Sequence, residues 1–146
     1  MKKILFILGL VAYNTVSLAQ QTPDQMTSLF FEKYETDTDG AFDYIFATNP
    51  WMQKNKDGSE KVKFQIREFK TISGAYTGFE KIRETRLGEG FKVDVYLVKY
   101  ERQPLRFIFK YYKAKDIWVL YNLKFDDKID EELDKANTSQ PSYRNH

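Results

Sequence analysis

The chain has 146 residues, of which 42% are hydrophobic, 16% aromatic and 30% charged, with 23 Lys and Arg against 21 Asp and Glu. This length suits one domain with a substantial hydrophobic core. The chain has no cysteine and one histidine, His146, which excludes a disulfide framework, a thiolate metal site, a cysteine nucleophile and a Ser-His-Asp triad.

Residues 1–19 have the features of a secretory signal peptide. Lys2 and Lys3 give a positive start, an apolar run follows over 4–12, and small residues precede a cleavage point at Ala19. The apolar run is shorter than the roughly 20 residues that span a bilayer. We therefore predict cleavage after Ala19, a periplasmic or secreted protein, and no stable membrane anchor.

Cleavage would also remove the net charge. Without Lys2 and Lys3 the chain carries 21 basic and 21 acidic groups, so net charge offers no argument for nucleic acid as a partner. The charges are unevenly distributed, with a net −5 over 24–60, +8 over 61–124 and −3 over 125–146. This segregation predicts basic groups on the strands and acidic groups on the helices and loops.

Three helices are predicted before residue 74. The first begins at Thr22 with a capping box and Pro23 in its first turn, the second ends at Asn49-Pro50, and the third begins near Asp57. Their apolar stripes are Met26, Leu29, Phe30 and Tyr34; Phe42, Ile45 and Phe46; and Val62, Ile66, Phe69 and Ile72.

After Gly74 the hydrophobic period changes to two. It predicts strands over 91–98, 105–112 and 117–125, and a less regular edge strand over 79–87, joined by hairpins. A short acidic helix over 127–136 and a flexible polar tail over 137–146 follow. We predict one α+β domain over 20–136, with N-terminal helices packed on a curved four-stranded antiparallel sheet and a short C-terminal helix.

This order of elements resembles the nuclear transport factor 2-like (cystatin-like cone) superfamily, in particular its small exported bacterial members without an assigned activity. The resemblance spans 22–136 and is carried by element order and patterning, not by a catalytic motif. It implies a pocket between the helices and the concave sheet face. It also implies ligand binding or catalysis in that pocket in some members, and association through the sheet in many.

The odd-numbered strand residues are nearly all apolar, so we predict that they face the helices. Tyr111 and Tyr121 would then line the pocket together with Phe69. Trp51 would lie at the pocket mouth, either as a lid that stacks on a ligand or as packing for its loop. The predicted ligand is small and apolar, and no cofactor is expected.

The even-numbered strand face is apolar for a surface exposed to solvent, and basic groups are interleaved in it. We interpret it first as a homodimer or partner interface. The alternatives are cross-strand pairs that only stabilise the sheet, a platform for an anionic or glycan ligand, and a surface for single-stranded nucleic acid, which export disfavours. The predicted interface residues are Tyr96, Tyr100, Lys110, Tyr112 and Trp118.

Carboxylates suggest two further functions, both weaker. The acidic loop over 35–43 has the spacing of a calcium loop, but Phe46 stands where a bidentate Glu is needed, so we predict no metal site. Asp43 or Asp94, with Tyr44 or Tyr121, would suit acid–base catalysis, although parity points Asp94 away from the pocket. A non-catalytic exported binding or interaction protein is favoured, and a small pocket enzyme (lyase, isomerase or hydrolase) is the alternative.

Overall fold

The computed structural model describes residues 20–139, so the predicted signal peptide lies outside the described residues. The predicted α+β class is confirmed: helices come first, then a four-stranded antiparallel sheet, then a short helix. Within the described part no helix is long and apolar enough to cross a membrane. The elements are α1 Pro23–Thr36, α2 Thr38–Ala47, α3 Pro50–Gln53, α4 Lys56–Ser73, β1 Tyr76–Leu87, β2 Phe91–Tyr100, β3 Leu105–Lys113, β4 Trp118–Asp126 and α5 Ile129–Ser139.

Side-chain caps fix where the helices begin. The predicted capping box of α1 is present: Gln25 N donates to Thr22 Oγ1 at 3.3 Å, and Thr22 N donates to Gln25 Oε1 at 2.8 Å. Helix α4 begins at Lys56, close to the predicted start near Asp57, but its cap is Asn55, since Gly58 N donates to Asn55 Oδ1 at 3.1 Å. Helix α3 was not predicted, because a helix of four residues has no hydrophobic period to detect.

The sheet is a meander of order β1-β2-β3-β4, and every neighbouring pair is antiparallel. Its faces differ from the prediction at β2. Tyr96 pairs with Phe107 and Val98 with Leu105, so even-numbered residues of β2 share a face with odd-numbered residues of β3. We call this the inner face, because its residues form one core cluster with the side chains of α1 and α2.

The parity prediction is therefore wrong for β2, and it fails again in β4. Lys110 pairs with Asn122, but Tyr111 pairs with Leu120, which leaves Tyr121 as the extra residue of a bulge. Before the bulge, even-numbered Leu120 reaches the core, whereas odd-numbered Leu123 does so after it. Tyr121 is on the opposite, outer face, where its ring lies 5.6 Å from that of Phe91.

Aromatic rings fill the space between the helices and the inner face. Phe30 makes edge-to-face contacts with Phe42 at 5.3 Å and Phe109 at 5.2 Å between ring centroids. Phe31 stacks on Phe79 of β1 at 4.0 Å. Such pairs contribute about 0.5–1.5 kcal/mol each beyond the burial of their area. The core occupies the place where the resemblance implies a pocket.

Helix α5 lies against the outer face, where it is held by ion pairs. Arg106 of β3 contacts Asp126 at 2.8 Å and Glu132 at 2.9 Å, and Arg83 of β1 contacts Glu132 at 3.0 Å. Arg106 and Glu132 are buried, so each depends on the other to offset its lost hydration. This end of the outer face, which was predicted to be open, is covered.

Helix α5 also extends the ordered chain beyond the predicted boundary. It continues to Ser139, three residues into the segment predicted as a flexible tail over 137–146. Residues 140–146 lie outside the described residues.

Candidate functional site

The described residues form a large groove along the edge strand β4, with a volume of about 780 Å³. One wall is the α2–α3 junction, and the other is the outer face of β3 and β4 with their hairpin. We call it the β4 groove. Its large apolar lining residues are Trp51, Met52, Tyr112, Ile117, Val119 and Tyr121.

Two side chains of the α2–α3 junction attach this wall to the sheet. Leu120 N donates to Thr48 Oγ1 at 3.1 Å, and Asn49 Nδ2 donates to Leu120 O at 2.8 Å. Asn49 also caps α3, since its Oδ1 accepts from Trp51 N at 2.9 Å. The strand edge at Leu120 is therefore occupied, and the backbone that carries Trp51 is fixed relative to the sheet.

The groove exposes more large apolar surface than a solvated loop needs. Trp51 is 78% exposed, Ile117 65%, Tyr121 57% and Tyr112 45%. These side chains come from α3, from β3, from β4 and from the β3–β4 hairpin, and they line one concave surface. An exposed apolar concavity of this size is the usual form of a binding site.

The charge on the groove is positive. Lys115 is the one charged residue among its lining residues, and within the described chain it forms no ion pair. Lys54 lies beside the groove, with its Nζ 5.2 Å from the centroid of the Trp51 ring. The groove therefore combines an apolar lining with a cationic hairpin.

A buried ion cluster is the second candidate. Lys92 Nζ lies 2.8 Å from Asp24, 3.1 Å from Asp94 and 3.3 Å from Glu84. Lys81 Nζ reaches the same three carboxylates, at 2.5, 3.6 and 3.2 Å respectively. Lys92 and Asp94 are fully buried, on the inner face rather than where parity placed Asp94.

The cluster has the acids of a metal site but not the room for one. Oxygens of Asp24, Glu84 and Asp94 all lie within 4.8 Å of one another, yet the Lys92 ammonium contacts all three of these carboxylates. A metal ion would have to displace it. The two ammonium groups neutralise two of the three carboxylates, so the arrangement is that of a structural ion cluster.

The protonation of this cluster follows from burial and charge. Burial raises the pKa of Asp94 above its usual value, against the attraction of Lys92. The pKa of Asp24 is lowered, because hydrogen bonds from Lys81 and Lys92 together outweigh its partial burial. Neither Asp94 oxygen has a well-aligned hydrogen-bond donor among the described residues, so its ionised form depends on the two ammonium charges.

The other carboxylates considered from the sequence have separate structural partners. Asp37 caps α2, where its Oδ1 accepts from Gly40 N at 2.8 Å, and Asp39 pairs with Arg67. Asp43 lies 2.7 Å from Lys63, and the hydroxyl of Tyr44 donates to Gln21 at 2.8 Å. The arrangement therefore does not favour catalysis at these residues.

The structure does not bring the four predicted pocket residues together. Trp51 and Tyr121 line the β4 groove. Tyr111 is fully buried in the core, where its hydroxyl is bonded to that of Thr27 at 2.6 Å. Phe69 packs edge-to-face against Phe125 at 5.8 Å. Two of the four residues, Trp51 and Tyr121, therefore line a surface groove instead of the predicted pocket between the helices and the sheet.

The predicted interface residues are divided between the two faces. Tyr96 and Tyr100 are on the inner face, and the hydroxyl of Tyr100 is bonded to that of Tyr34. Trp118 also packs against the core. Lys110 and Tyr112 are on the outer face, as predicted. The prediction of one shared surface is wrong because it extended a single parity across a hairpin and a bulge that each reverse it.

Several groove residues were not anticipated, notably Asn49, Met52, Lys115, Ile117 and Val119. A sequence signal exists for the first of them. Asn followed by Pro is a strong N-cap and first-turn pair, so Asn49-Pro50-Trp51 marks a helix start as well as a helix end. The opposite wall depends on the β4 bulge, for which the sequence carries no comparable signal.

Comparison of the chain with protein-family models, with curated proteins and with solved structures finds no match. The resemblance to nuclear transport factor 2-like proteins therefore stays a prediction.

Proposed function

We propose that the protein is a non-catalytic exported binding protein that takes a small apolar ligand in the β4 groove. The observation that carries this proposal is the set of exposed large apolar side chains around one concavity of about 780 Å³. That volume lies within the range of roughly 300–1,000 Å³ that small-molecule sites occupy. Export rests on the signal-peptide pattern of residues 1–19.

The alternative of a small pocket enzyme has less support. Burial raises the pKa of Asp94, but this carboxyl group is fully buried and lies beside Lys92. A catalytic base must reach a substrate proton, directly or through one water. The groove, by contrast, is open to solvent, and several of its apolar lining side chains are exposed, such as Ile117.

Binding of a neutral fluorescent probe to residues 20–146 tests the proposal. N-phenyl-1-naphthylamine carries no charge, so its saturable fluorescence increase would report apolar binding alone. Ile117→Ser removes groove surface and is expected to weaken binding roughly tenfold, which is the value of burying part of one aliphatic side chain.

Ile72→Ser is the matched control. Ile72 is 61% exposed against 65% for Ile117, and it lies on α4, outside the groove lining. It should leave probe binding unchanged. Equal effects of the two substitutions, or binding that never saturates, would contradict the proposal.

A further inference from the structure

We infer that the occupant of the β4 groove is an amphipathic anion, with an apolar chain along the groove and a carboxylate or similar anionic group at Lys115. This inference rests on the proposed function and adds the chemical class of the ligand. It is carried by how the polar atoms and charges are distributed around the groove.

The α2–α3 wall has little polar capacity left for a ligand. Thr48 Oγ1 donates to Ile45 O at 2.7 Å and accepts from Leu120 N, so its hydroxyl is used twice. Both polar atoms of the Asn49 side chain are engaged, by Leu120 O and Trp51 N. Asn55 caps α4. A ligand at this end meets mainly apolar side chains, among them Trp51 and Met52.

The hairpin end has the opposite character. Lys115 lines the groove and is exposed, and no described residue forms an ion pair with it. Lys113 lies nearby in the chain, with its Nζ 5.3 Å from the centroid of the Trp118 ring. Asp116 is the single acid of the hairpin and does not line the groove. An anionic group at Lys115 therefore gains an attraction that a neutral or cationic group does not.

The groove is apolar at the α2–α3 end and has a cation, Lys115, at the hairpin end. It therefore favours a ligand with an apolar chain and one charged terminus. A neutral apolar molecule would leave the ammonium of Lys115 without a partner. A cationic amphiphile would be repelled by it. The ligand class that satisfies both ends is the single-chain carboxylate or another anion of the same shape.

Competition against the neutral probe distinguishes these ligands. Decanoate, decanol and decyltrimethylammonium each have a chain of ten carbons, with the carboxylate carbon counted in decanoate, and differ in charge; each is used below the concentration at which it forms micelles. We expect decanoate to displace the probe from residues 20–146 at about fivefold lower concentration than decanol, which corresponds to one partly exposed ion pair. Decyltrimethylammonium should be the weakest, and raising the salt from about 20 to about 200 mM should reduce the differences.

Two lysine variants locate the effect. Lys115→Gln should bring decanoate to the level of decanol and leave decanol itself unchanged. Lys61→Gln, which removes an exposed lysine of α4, should preserve the preference for decanoate. Equal displacement by decanoate and decanol in the unaltered protein would overturn the inference and leave the proposed function standing.

Two other outcomes have different meanings. If the probe does not bind, the proposed function fails and the ligand class fails with it. A protein of doubled mass that no member of the series dissociates, and in which the probe is excluded, would place a second copy in the groove. That result would also overturn the inference.

Discussion

Lys92 is buried in the same core that holds the stacked phenylalanines, and its charge is balanced there by carboxylates of α1, β1 and β2. Lys92→Met should destabilise the fold by about 3 kcal/mol, because it leaves the buried carboxylate of Asp94 with only the more distant ammonium of Lys81, 3.6 Å away. Urea unfolding of the two proteins at pH 7 measures the difference.

A double variant separates the lost charge from lost packing. Lys92→Met combined with Asp94→Leu removes both buried charges, so it should be more stable than Lys92→Met alone. Asp94→Asn by itself should cost much less than Lys92→Met, since Asp24 and Glu84 still neutralise the two ammonium groups. If the double variant were less stable than Lys92→Met, the cluster would not be held together by charge.

The sequence could not predict this cluster, and the reason is visible at Asp94. In β2 apolar and polar residues alternate, but residues on both faces of the strand are buried. Val95 on the outer face and Asp94 on the inner face are each fully buried. Hydrophobic alternation identifies the buried face only when the other face is solvated. Pairing of residues across the β2–β3 hairpin would have placed Tyr96 opposite Phe107, and so would have assigned the even-numbered residues of β2 to the inner face.

The short helix α3 depends on one cap, and it forms a wall of the groove. Asn49→Ala removes the cap and leaves Leu120 O without its donor, so we expect a loss of about 2 kcal/mol in the free energy of unfolding. Probe binding should weaken as well, because Trp51 is no longer fixed. Chemical denaturation and the probe titration measure the two effects.

Thr22→Ala provides the comparison for this prediction. It removes the cap of α1, which is distant in sequence from the groove and absent from its lining. It should lower stability by about 1 kcal/mol without altering probe affinity. If Thr22→Ala and Asn49→Ala reduced probe affinity equally, the effect would be one of general stability rather than of the groove wall.

Docking of α5 should depend on acid pH. Burial acts to raise the pKa of both Asp126 and Glu132, but hydrogen bonds outweigh it. Those from Arg106 lower the pKa of Asp126 from 3.8 to about 2. Those from Arg83 and Lys135 lower the pKa of Glu132 from 4.5 to about 2. Both carboxylates thus bind protons less readily when folded, so their stabilisation is present above about pH 4.5 and is lost as the pH falls toward 2.

Glu132→Gln isolates this effect from the other acids of the chain. At pH 6 the variant should be less stable by about 2 kcal/mol, because Arg83 and Arg106 lose a charged acceptor. Between pH 4.5 and 2 its stability should fall less steeply than that of the unaltered protein, so the two should converge. Urea midpoints at several pH values in this range measure it; two parallel curves would contradict the prediction.

Elements were predictable from the sequence where the signal is local. The capping box of α1 and the hairpin turn at Gly88, which has a positive φ of 59°, are read within a few residues. The α5 contact is different, since Arg106 and Glu132 are 26 residues apart and their pairing follows from the fold. The groove could be predicted in part. Trp51 and Tyr121 were predicted as binding residues, but the sequence did not indicate that they would lie at the edge of β4.

At the scale of the whole molecule, many of the segregated charges form ion pairs with one another between the helices and the sheet. One alternative from the sequence was that the basic groups of the sheet contact an anionic or glycan ligand. Instead Asp24 of α1 pairs with Lys81 and Lys92, and Glu132 of α5 pairs with Arg83 and Arg106. The acidic helices at the two ends of the chain neutralise the basic sheet between them.

The predicted homodimer stays a prediction. Because α5 covers one end of the outer face, a dimer through that face would form at the other end. Apolar residues on the uncovered end of the outer face include Leu87, Tyr112 and Tyr121, which are 68%, 45% and 57% exposed. Tyr112 and Tyr121 also line the β4 groove. A dimer at this end would therefore compete with ligand for the same two rings.

This competition makes association and binding thermodynamically linked. At high protein concentration light scattering of residues 20–146 should give a mass above that of the monomer, and saturating decanoate should return it to the monomer value, because ligand binds only the dissociated form. Leu87→Ser, which alters the patch outside the groove lining, should weaken association roughly tenfold while leaving probe affinity at low protein concentration unchanged. A mass that is above the monomer value and independent of decanoate, in a protein that still binds the probe, would mean that the dimer uses a surface other than this end of the sheet.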